Sequence, residues 1–483
     1  MALGEMKRMT RRLLFLWVLG YALIWTLITV YLDPAVPYDA VEALNWAQNA
    51  QWGSPKNPWL VGVMMRPALW LPSNVYWYAA HFLAIAAGMA GTWLLARRLS
   101  GSDRLAWLAL LTLNLSGLIN VDIISYNDNY LLVMLWPWMM LFYLLAITRN
   151  ARWWLAFAVT AGLAAMAKYS SLAFIGLIFL STLISPHIRS CYRRPVFYVA
   201  LFIAAALIVP NLFWLWQHDF AAFRWVDSQI QAGLNPGLII TLLSVFYPLL
   251  FLGGMLYAGG ARLHWPTPWA HRALLVIYLL PLLLISGWFL LHDGGRLTEW
   301  LQPFFILAPA LMVGCARPVP ECLARRYVVA LFGAALVVVA GYAAVMYANI
   351  ANAGQKMSGI IPFSHEMDRL WRDAYGTPLT YVGGDHLSQW LTFYVPSHPQ
   401  TLTRWRNKTR PNVYNAHITY PQIVRHGALL VGKHGVPCSA ETFGTVRRDW
   451  PGLRIDHVRQ IVFQEDPAHT ALPLCIALVK PAP

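Results

Sequence analysis

The sequence predicts an α-helical polytopic membrane protein with a small C-terminal α/β domain. Of the 483 residues, 58% are hydrophobic and 12% are charged, whereas soluble domains carry about 25% charged residues. Charge depletion and long apolar runs are concentrated in the first 350 residues, and the remainder is polar and mixed. We therefore divide the chain into a membrane domain, 1–350, and a second domain, 351–483.

Apolar runs mark the expected membrane spans. A span needs roughly 20 apolar residues, and the membrane domain contains about eleven such runs. They lie near 13–32, 72–96, 104–122, 129–147, 152–168, 170–185, 196–215, 237–256, 272–291, 300–315 and 327–348. No small-residue cleavage site follows the first run, so we expect it to be a retained anchor.

The loops between these runs alternate in charge. The net charge of +15 does not indicate a nucleic-acid partner, because the basic residues lie mainly between apolar runs, where they orient a membrane protein. Every second loop is basic. We expect the chain to lie in a bacterial inner membrane, with these basic loops on the cytoplasmic side. With an odd number of spans, the N-terminus is cytoplasmic and the C-terminus is periplasmic.

Acidic residues occupy the opposite, outer loops. They are Asp33, Asp39, Glu42, Asp122, Asp128, Asp219, Asp227, Asp293 and Glu299. Sorting of basic residues to the inside explains the side on which these acids lie, but it does not explain why they gather at the predicted ends of spans. We therefore expect the functional site to lie in the outer loops.

The C-terminal domain shows short strand and helix patterns. We expect strands over 380–384, 427–432, 459–464 and 472–480, and a helix over 386–394. Cys438 and Cys475 fall in this domain. In an oxidising periplasm they can form a disulfide, and two free buried thiols are the alternative.

The first outer loop carries a pair of carboxylates. Pro37 precedes a helical pattern over 38–51, and Asp39 and Glu42 are three residues apart, on one face of that helix. Two carboxylates at a membrane surface suit general-base catalysis or cation binding. The simpler interpretation is a solvated helix start, where acids are favoured.

Three cations stand out near predicted membrane boundaries. Lys56 lies in the loop GSPKNPWL, and Arg66 and Lys168 lie in apolar stretches. A cation at such a depth is costly unless it pairs or reaches the interface with its side chain. Reaching the interface is the simpler interpretation for Arg66, and binding of a phosphate is the alternative for all three.

Two short outer turns, SYNDN and HDGGRLTEW, are rich in polar side chains. Their members are Tyr126, Asn127, Asp128, His292, Asp293, Arg296 and Glu299. Such side chains bind sugar hydroxyls well, although Asn and Asp also serve simply as helix caps. Arg296 adds a further cation that suits a phosphate.

Residues 15–350 resemble glycosyltransferase family 39, which has the GT-C fold and includes protein O-mannosyltransferases and lipid A aminoarabinose transferases. The resemblance is carried by the acidic pair in YDAVEALNWAQNAQWG, by KNPWL in the place of a KHPPL-type motif, and by the KY pair in GLAAMAKYS. The segments SYNDNYLLVMLWPW and PNLFWLWQHDFAAFRW are also similar to bacterial members. The order and topology of these motifs are more specific than any one of them.

The resemblance implies an inverting, single-displacement transfer from an undecaprenyl-phosphate-linked sugar. We expect the acceptor to be lipid A, lipopolysaccharide or another cell-envelope glycan, because the aromatic-rich outer loops and the small C-terminal domain fit an acceptor at the membrane surface. Asp39 matches the catalytic acid that activates the acceptor, and Glu42 assists it. Lys56, Lys168 and Arg296 are implied to hold the donor phosphate.

The sequence departs from the family pattern at the lysine motif. Asn57 stands where the motif has His, and Trp59 stands where it has its second Pro. The acidic pair is D-x-x-E and not two adjacent residues. These differences bear on the sugar or acceptor pocket.

Three other functions stay open. The acceptor can be a protein, because no motif here distinguishes it from a glycolipid. A flippase or transporter would carry its ionisable residues near the midplane of the membrane, and a structural scaffold would not explain Lys168 and Arg66. The sequence contains no GxxxxGK[ST], GxGxxG or HExxH motif, so we expect no nucleotide cofactor; a divalent cation at Asp39 and Glu42 is an open alternative.

Overall fold

The computed structural model describes residues 3–33, 35–49, 51–294, 297–318, 321–351, 357–402 and 417–482. The chain forms two compact units. The first comprises Met1–Thr26, Ala79–Trp216 and Val226–Tyr342. The second comprises Leu27–Tyr78, Gln217–Trp225 and Ala343–Pro483. The structure thus groups the C-terminal segment with the first outer loop, whereas the sequence pattern predicts that 351–483 is a domain by itself.

Helices make up most of the described chain. In chain order they are α1 (Leu3–Leu32), α2 (Tyr38–Asn49), α3 (Leu60–Met65), α4 (Ser73–Ser100), α5 (Asp103–Leu113), α6 (Gly117–Asn120), α7 (Asn129–Thr148), α8 (Trp153–Ala167), α9 (Ser171–Ile184), α10 (Pro195–Gln217), α11 (Ala221–Gln229), α12 (Gly237–Ala258), α13 (Trp269–Leu290), α14 (Leu297–Leu301), α15 (Ala308–Cys315), α16 (Glu321–Ala351), α17 (Ile360–Tyr375), α18 (Ser388–Tyr394), α19 (Tyr420–His426) and α20 (Gly444–Asp449). Short 3-10 segments cover Arg66–Leu69, Asp122–Ser125, Arg189–Arg193 and Gln302–Ile306.

Seven of these helices are long and apolar enough to cross a membrane. They lie at Arg12–Leu32, Ser73–Ser100, Asn129–Thr148, Pro195–Gln217, Gly237–Ala258, Trp269–Leu290 and Arg326–Ala348. An eighth is obtained if the bent pair α14 and α15 counts as one span. The multi-pass class predicted from composition is therefore found in the described chain, while the number eleven stays a prediction.

The predicted spans near 152–168 and 170–185 are shorter than expected. The structure gives them as α8, with 15 residues, and α9, with 14. The break falls at Lys168, whose backbone is extended (φ −155°, ψ 136°) and ends α8. A helix of 15 residues rises only about 22 Å, less than the roughly 30 Å of a hydrocarbon core.

The prediction of one helix over 104–122 was wrong. Helix α5 ends at Leu113, and Ser116 starts the separate helix α6 by accepting a hydrogen bond at Oγ from the Ile119 N–H (3.3 Å). The Asn114 side chain meanwhile donates to the Leu110 carbonyl oxygen (3.2 Å). Short polar side chains that bond to nearby backbone favour helix ends, which explains the break.

The predicted span near 300–315 is also interrupted. The chain passes through α14, the 3-10 segment Gln302–Ile306 and α15, with a bend of 46°. Pro303 and Pro309 lie in the first turns of the second and third segments. A proline has no backbone N–H to donate, so it fits a helix start but not a continuous helix.

The second unit contains a five-stranded sheet. The strands of the described chain are β1 (Ile230–Ala232), β2 (Arg262–Leu263), β3 (His292–Gly294), β4 (Ala316–Arg317), β5 (Tyr381–Gly384), β6 (Gln400–Thr401), β7 (Ala428–Val431), β8 (Ile455–Phe463) and β9 (Leu472–Val479). The last five of them form this sheet. The sheet order is β6-β5-β7-β9-β8, parallel from β6 to β7 and antiparallel thereafter. The four strands predicted for the tail are therefore present, as β5, β7, β8 and β9.

Two structural details of the tail refine the sequence-based expectations. The predicted helix 386–394 begins at Ser388, and the predicted strand 459–464 begins earlier, at Ile455, with a bulge at Asp456/Arg459. Cys438 and Cys475 form a disulfide, which decides between the two alternatives left open by the sequence. One half of the disulfide lies on the buried strand β9.

Candidate active site

The acidic pair of the first outer loop lies on α2, in the second unit. Helix α2 ends at Asn49, two residues before the predicted end at 51. Asp39 lies in its first turn, where a carboxylate is favoured by the helix dipole. Asp39 and Glu42 are 4% and 5% exposed, so the alternative of a solvated helix face is wrong. Two buried carboxylates require a cation or hydrogen-bond donors.

Lys56 supplies that cation. Its Nζ lies 3.5 Å from Asp39 Oδ2 and 3.4 Å from Glu42 Oε2, and the lysine is 6% exposed. The Trp225 ring centroid is 5.4 Å from Nζ, within the range of a cation–π interaction. The cluster of Asp39, Glu42 and Lys56, which we call the Asp39 cluster, carries a formal charge of −1 from two carboxylates and one ammonium.

The turn at 53–58 sets the position of Lys56. Ser54 Oγ donates to the Asn57 carbonyl oxygen (2.8 Å) and accepts from the Asn57 N–H (2.8 Å). Gly53 and Pro58 form an antiparallel bridge across the turn. A serine that closes a turn in this way is typical of such loops, so the lysine motif is a rigid turn. The Asn57 side chain is buried, with 4% exposure.

Further contacts of α2 within the second unit fix its orientation. The Tyr38 hydroxyl donates to Gln389 Oε1, and Asn45 Nδ2 lies 3.4 Å from Thr392 Oγ1. Gln48 Nε2 donates to the His398 carbonyl oxygen (2.6 Å). All three partners belong to α18 or the segment directly after it. The carboxylate-bearing helix is thus supported by the C-terminal domain, which the sequence did not predict.

A second buried ionic cluster surrounds Lys168 in the first unit. Its Nζ lies 3.1 Å from Asp128 Oδ2, 3.1 Å from Glu299 Oε1 and 3.1 Å from Asn129 Oδ1. The Trp300 ring centroid is 5.6 Å away. The ammonium of Lys168 is therefore paired within the protein. We call this group the Lys168 cluster.

Helix ends create the Lys168 cluster. Asp128 is the residue before α7, Lys168 is the residue after α8, and Glu299 lies in the short helix α14. Asn129 Nδ2 donates to the Glu299 carbonyl oxygen (2.8 Å) and to Gln302 Oε1 (2.7 Å). These bonds join α7 to the bent pair at its break.

The remaining predicted residues belong to neither cluster as defined above. Arg66 is exposed and lines a pocket with three tryptophans. His292 lies on β3, stacks on Trp288 and donates from Nδ1 to the Trp288 carbonyl oxygen (2.8 Å). The Tyr126 carbonyl oxygen accepts from His81 Nε2 (3.1 Å). Asn127 is buried, with 1% exposure, and Arg296 lies outside the described residues.

Three side chains that complete the clusters were not predicted from the sequence. They are Trp225 at the Asp39 cluster and Trp300 and Gln302 at the Lys168 cluster. Asn129 was visible as the last residue of SYNDN, and Gln302 follows Glu299 at i+3, a spacing that puts two helical residues on one face. Trp225 has no local signal, because its partner is distant in sequence. In the described residues, no group of three or more His, Cys, Asp or Glu gathers as cation ligands.

Comparisons with known proteins bear on this geometry. Residues 55–214 match the family model for dolichyl-phosphate-mannose-protein mannosyltransferase. A lipid A galacturonosyltransferase, RgtD of Rhizobium johnstonii, is 25% identical over 252 residues, which is 50% of this chain and 52% of that protein. The match thus spans about half the length of this curated relative.

The fold comparison covers nearly all of the chain. The crystal structure of ArnT from Cupriavidus metallidurans bound to undecaprenyl phosphate superposes with a TM-score of 0.61 at 14% identity, over 97% of this chain and 99% of that one. The chain therefore shares the GT-C fold of that structure. The GT-C resemblance inferred from the sequence motifs is therefore confirmed. The matching mannosyltransferase model includes Lys56, Arg66 and Lys168 but begins after Asp39 and Glu42.

Proposed function

We propose that this protein is a GT-C glycosyltransferase that moves a sugar from an undecaprenyl-phosphate-linked donor to a glycolipid acceptor, lipid A or a related cell-envelope glycan. The observation that carries the proposal is the Asp39 cluster, a buried carboxylate pair held by one lysine in a chain of this fold. The similarity to a lipid A galacturonosyltransferase and to an ArnT structure with bound undecaprenyl phosphate supports the substrate classes.

The proposed chemistry is one displacement at the anomeric carbon. Asp39 accepts the proton of an acceptor hydroxyl as the hydroxyl oxygen forms its bond to that carbon. The bond from the anomeric carbon to the phosphate oxygen breaks, and the electron pair leaves with undecaprenyl phosphate. Attack opposite to the leaving group inverts the configuration.

Lys56 has two roles in this proposal. It offsets part of the negative charge of the two buried carboxylates. It also stabilises the charge that develops on the leaving phosphate. Its Nζ lies 3.4–3.5 Å from both carboxylates, so a bound phosphate would compete with these carboxylates for the ammonium.

The other predicted ligands enter the proposal with less support from local geometry. Lys168, Arg66 and Arg296 are proposed as donor-phosphate ligands, and the proposed sugar and acceptor contacts are Asn57, Tyr126, Asn127, Asp128, His292 and Glu299. Lys168 already faces two carboxylates at 3.1 Å. A phosphate reaches this ammonium only by weakening one of those pairs.

The membrane orientation is part of the proposal. We place the acidic loops and the C-terminus in the periplasm, which requires an odd number of membrane passages. The disulfide Cys438–Cys475 supports this side for the C-terminal domain, because disulfides persist in oxidising compartments. The basic loops at the other ends of the spans support it independently.

The test is sugar transfer in sealed vesicles. A radiolabelled undecaprenyl-phosphate sugar fraction is supplied with membrane acceptors, and native protein is compared with Asp39→Asn. We expect Asp39→Asn to lower the transfer rate by about 10²–10⁴-fold, the usual contribution of a general base. Asp373→Asn, at an exposed acid on α17, is the matched control and should transfer at the native rate.

The labelled product identifies the acceptor. Label in the lipopolysaccharide fraction supports the glycolipid proposal. Label in protein supports a second candidate, a protein glycosyltransferase, which the name of the matching family model favours. If Asp39→Asn transfers sugar at the native rate, the Asp39 carboxylate is not the base. If the labelled donor moves between the membrane leaflets and no sugar is transferred, the protein is a flippase and not a transferase.

A further inference from the structure

A pocket at the C-terminal part of α2 is lined by residues that, apart from Arg66, have no role in the chemistry described above. It has a volume of about 240 Å³ and is lined by Trp46, Ala47, Gln51, Trp52, Trp59, Gly62, Val63 and Arg66, all in the second unit. Pockets for drug-sized ligands hold roughly 300–1,000 Å³. A space of this size therefore suits one sugar ring and not a lipid chain or an oligosaccharide.

The walls of the pocket are built from rigid aromatic side chains. Trp52 and Trp59 meet edge to face, with ring centroids 5.9 Å apart. A Cβ on Gly62 would lie 3.1 Å from the Trp46 carbonyl carbon and oxygen, so α2 and α3 pack closely at the residue that carries the third indole. An indole offers a flat apolar face, and a pyranose ring presents a complementary face of C–H bonds.

Arg66 adds a positive charge to these walls. Its side chain is exposed, and among the described residues it makes no ion pair. A guanidinium presents five donors in a planar fork that matches a phosphate or a carboxylate with two parallel hydrogen bonds. The pocket thus combines an aromatic platform with a cation suited to an anionic group.

The pocket lies along the face of α2 that carries the carboxylates. Asp39, Glu42 and Trp46 follow each other at i, i+3 and i+7, a spacing that places them on one side of a helix. Trp59 follows Lys56 by three residues at the end of the same turn. Trp46 lies four residues after Glu42 and seven after Asp39, a rise of about 6 Å and about 10 Å, so a sugar in the pocket is held one to two helical turns from the carboxylates.

We propose that this pocket binds a single pyranose that carries an anionic group, with the ring on Trp52 and Trp59 and the anion on Arg66. The anionic group can be a phosphate or a carboxylate, and the sugar can belong to the donor or to the acceptor. The place of the pocket in catalysis rests on the proposed transferase function. The binding itself does not.

The binding test uses purified full-length protein in lipid nanodiscs without donor. Saturation-transfer difference NMR measures the Kd of glucosamine 1-phosphate, galacturonic acid and methyl galactoside. We expect the two anionic sugars to bind at least tenfold more tightly than the neutral one. Arg66→Gln should remove that advantage, and Trp52→Ala should weaken all three by about tenfold.

Two matched variants control for charge and for loss of a large aromatic side chain. Arg369→Gln removes an exposed arginine on α17, and Trp70→Ala removes a tryptophan that is 75% exposed. Both lie in the second unit but outside the pocket, and both should bind like the native protein. Equal binding of anionic and neutral sugars by the native protein would overturn the proposal. Equal loss in Arg66→Gln and Arg369→Gln would do so as well.

Transfer kinetics separate this inference from the proposed function. If the pocket is right, Arg66→Gln raises the KM of either the donor or the acceptor about tenfold, and the substrate affected shows which sugar it holds. An unchanged KM for both substrates in an active enzyme refutes the pocket and leaves the transferase intact. Sugar binding that depends on Arg66, in a protein that transfers no sugar, refutes the transferase and leaves the pocket.

Discussion

The Lys168 cluster provides the sharpest test of how this protein stabilises buried charge. Lys168 is 9% exposed in its side chain, and its carboxylate partners Asp128 and Glu299 are 1% and 5% exposed. Replacement of the lysine by methionine keeps most of its length but leaves two carboxylates buried together. Breaking a buried pair by removing one partner costs about 3–5 kcal/mol.

We therefore expect Lys168→Met to lower the free energy of unfolding by at least about 3 kcal/mol. The triple variant Lys168→Met, Asp128→Asn and Glu299→Gln should recover most of this loss. It removes all three charges, and neutral replacement of a buried ionic group is often harmless. Lys433→Met, at an exposed lysine of the second unit, should change stability by no more than about 0.5 kcal/mol.

The assay is unfolding of the purified variants in one detergent, followed by circular dichroism. A Lys168→Met loss no larger than that of Lys433→Met would refute the argument that the carboxylates depend on this lysine. The transfer assay then separates two roles. A triple variant that is stable but inactive assigns the cluster to the reaction, while one that is stable and active assigns it to structure alone.

Two further predictions concern stability within each unit. The disulfide Cys438–Cys475 closes a separation of 37 residues, so the double variant Cys438→Ala, Cys475→Ala should lose about 3–4 kcal/mol of stability through loop-closure entropy. An unchanged melting temperature of the native protein after complete reduction of this disulfide would contradict the prediction. A Cβ on Gly88 would lie 2.2 Å from the Val133 carbonyl oxygen, whereas Gly176 has no atom within 4 Å of that position. Gly88→Ala should therefore cost about 1–3 kcal/mol through overpacking and Gly176→Ala should cost less, and equal thermal stability of the two variants would disprove close packing of α4 on α7.

Local chemistry was readable from the sequence at several positions. The carboxylates at Asp39 and Glu42 share a helix face because helical neighbours recur at three residues, and this spacing needs no tertiary information. The strands β5, β7, β8 and β9 were also predicted, by the alternation of their residues, whereas the sequence left open whether Cys438 and Cys475 form a disulfide. The GT-C resemblance followed from the order of short motifs along the chain and was confirmed by the fold comparison.

Other features were decided only by tertiary structure. The sequence placed Lys168 as a cation without a local carboxylate, yet the structure brings Asp128 and Glu299 to it from 40 and 131 residues away. Trp225 reaches Lys56 in the same way. No local pattern encodes such a pair, because each partner is placed by the packing of its own helix.

The sequence by itself determined that this chain is a multi-pass membrane protein with acidic and basic chemistry separated on alternate loops. It did so because burial in lipid requires long apolar helices, and their loops carry the charge. Tertiary structure decided which charges are neutralised, where helices break, and which loop joins the C-terminal domain. A lone cation at a helix end has many distant partners available to it, and only the folded chain selects one.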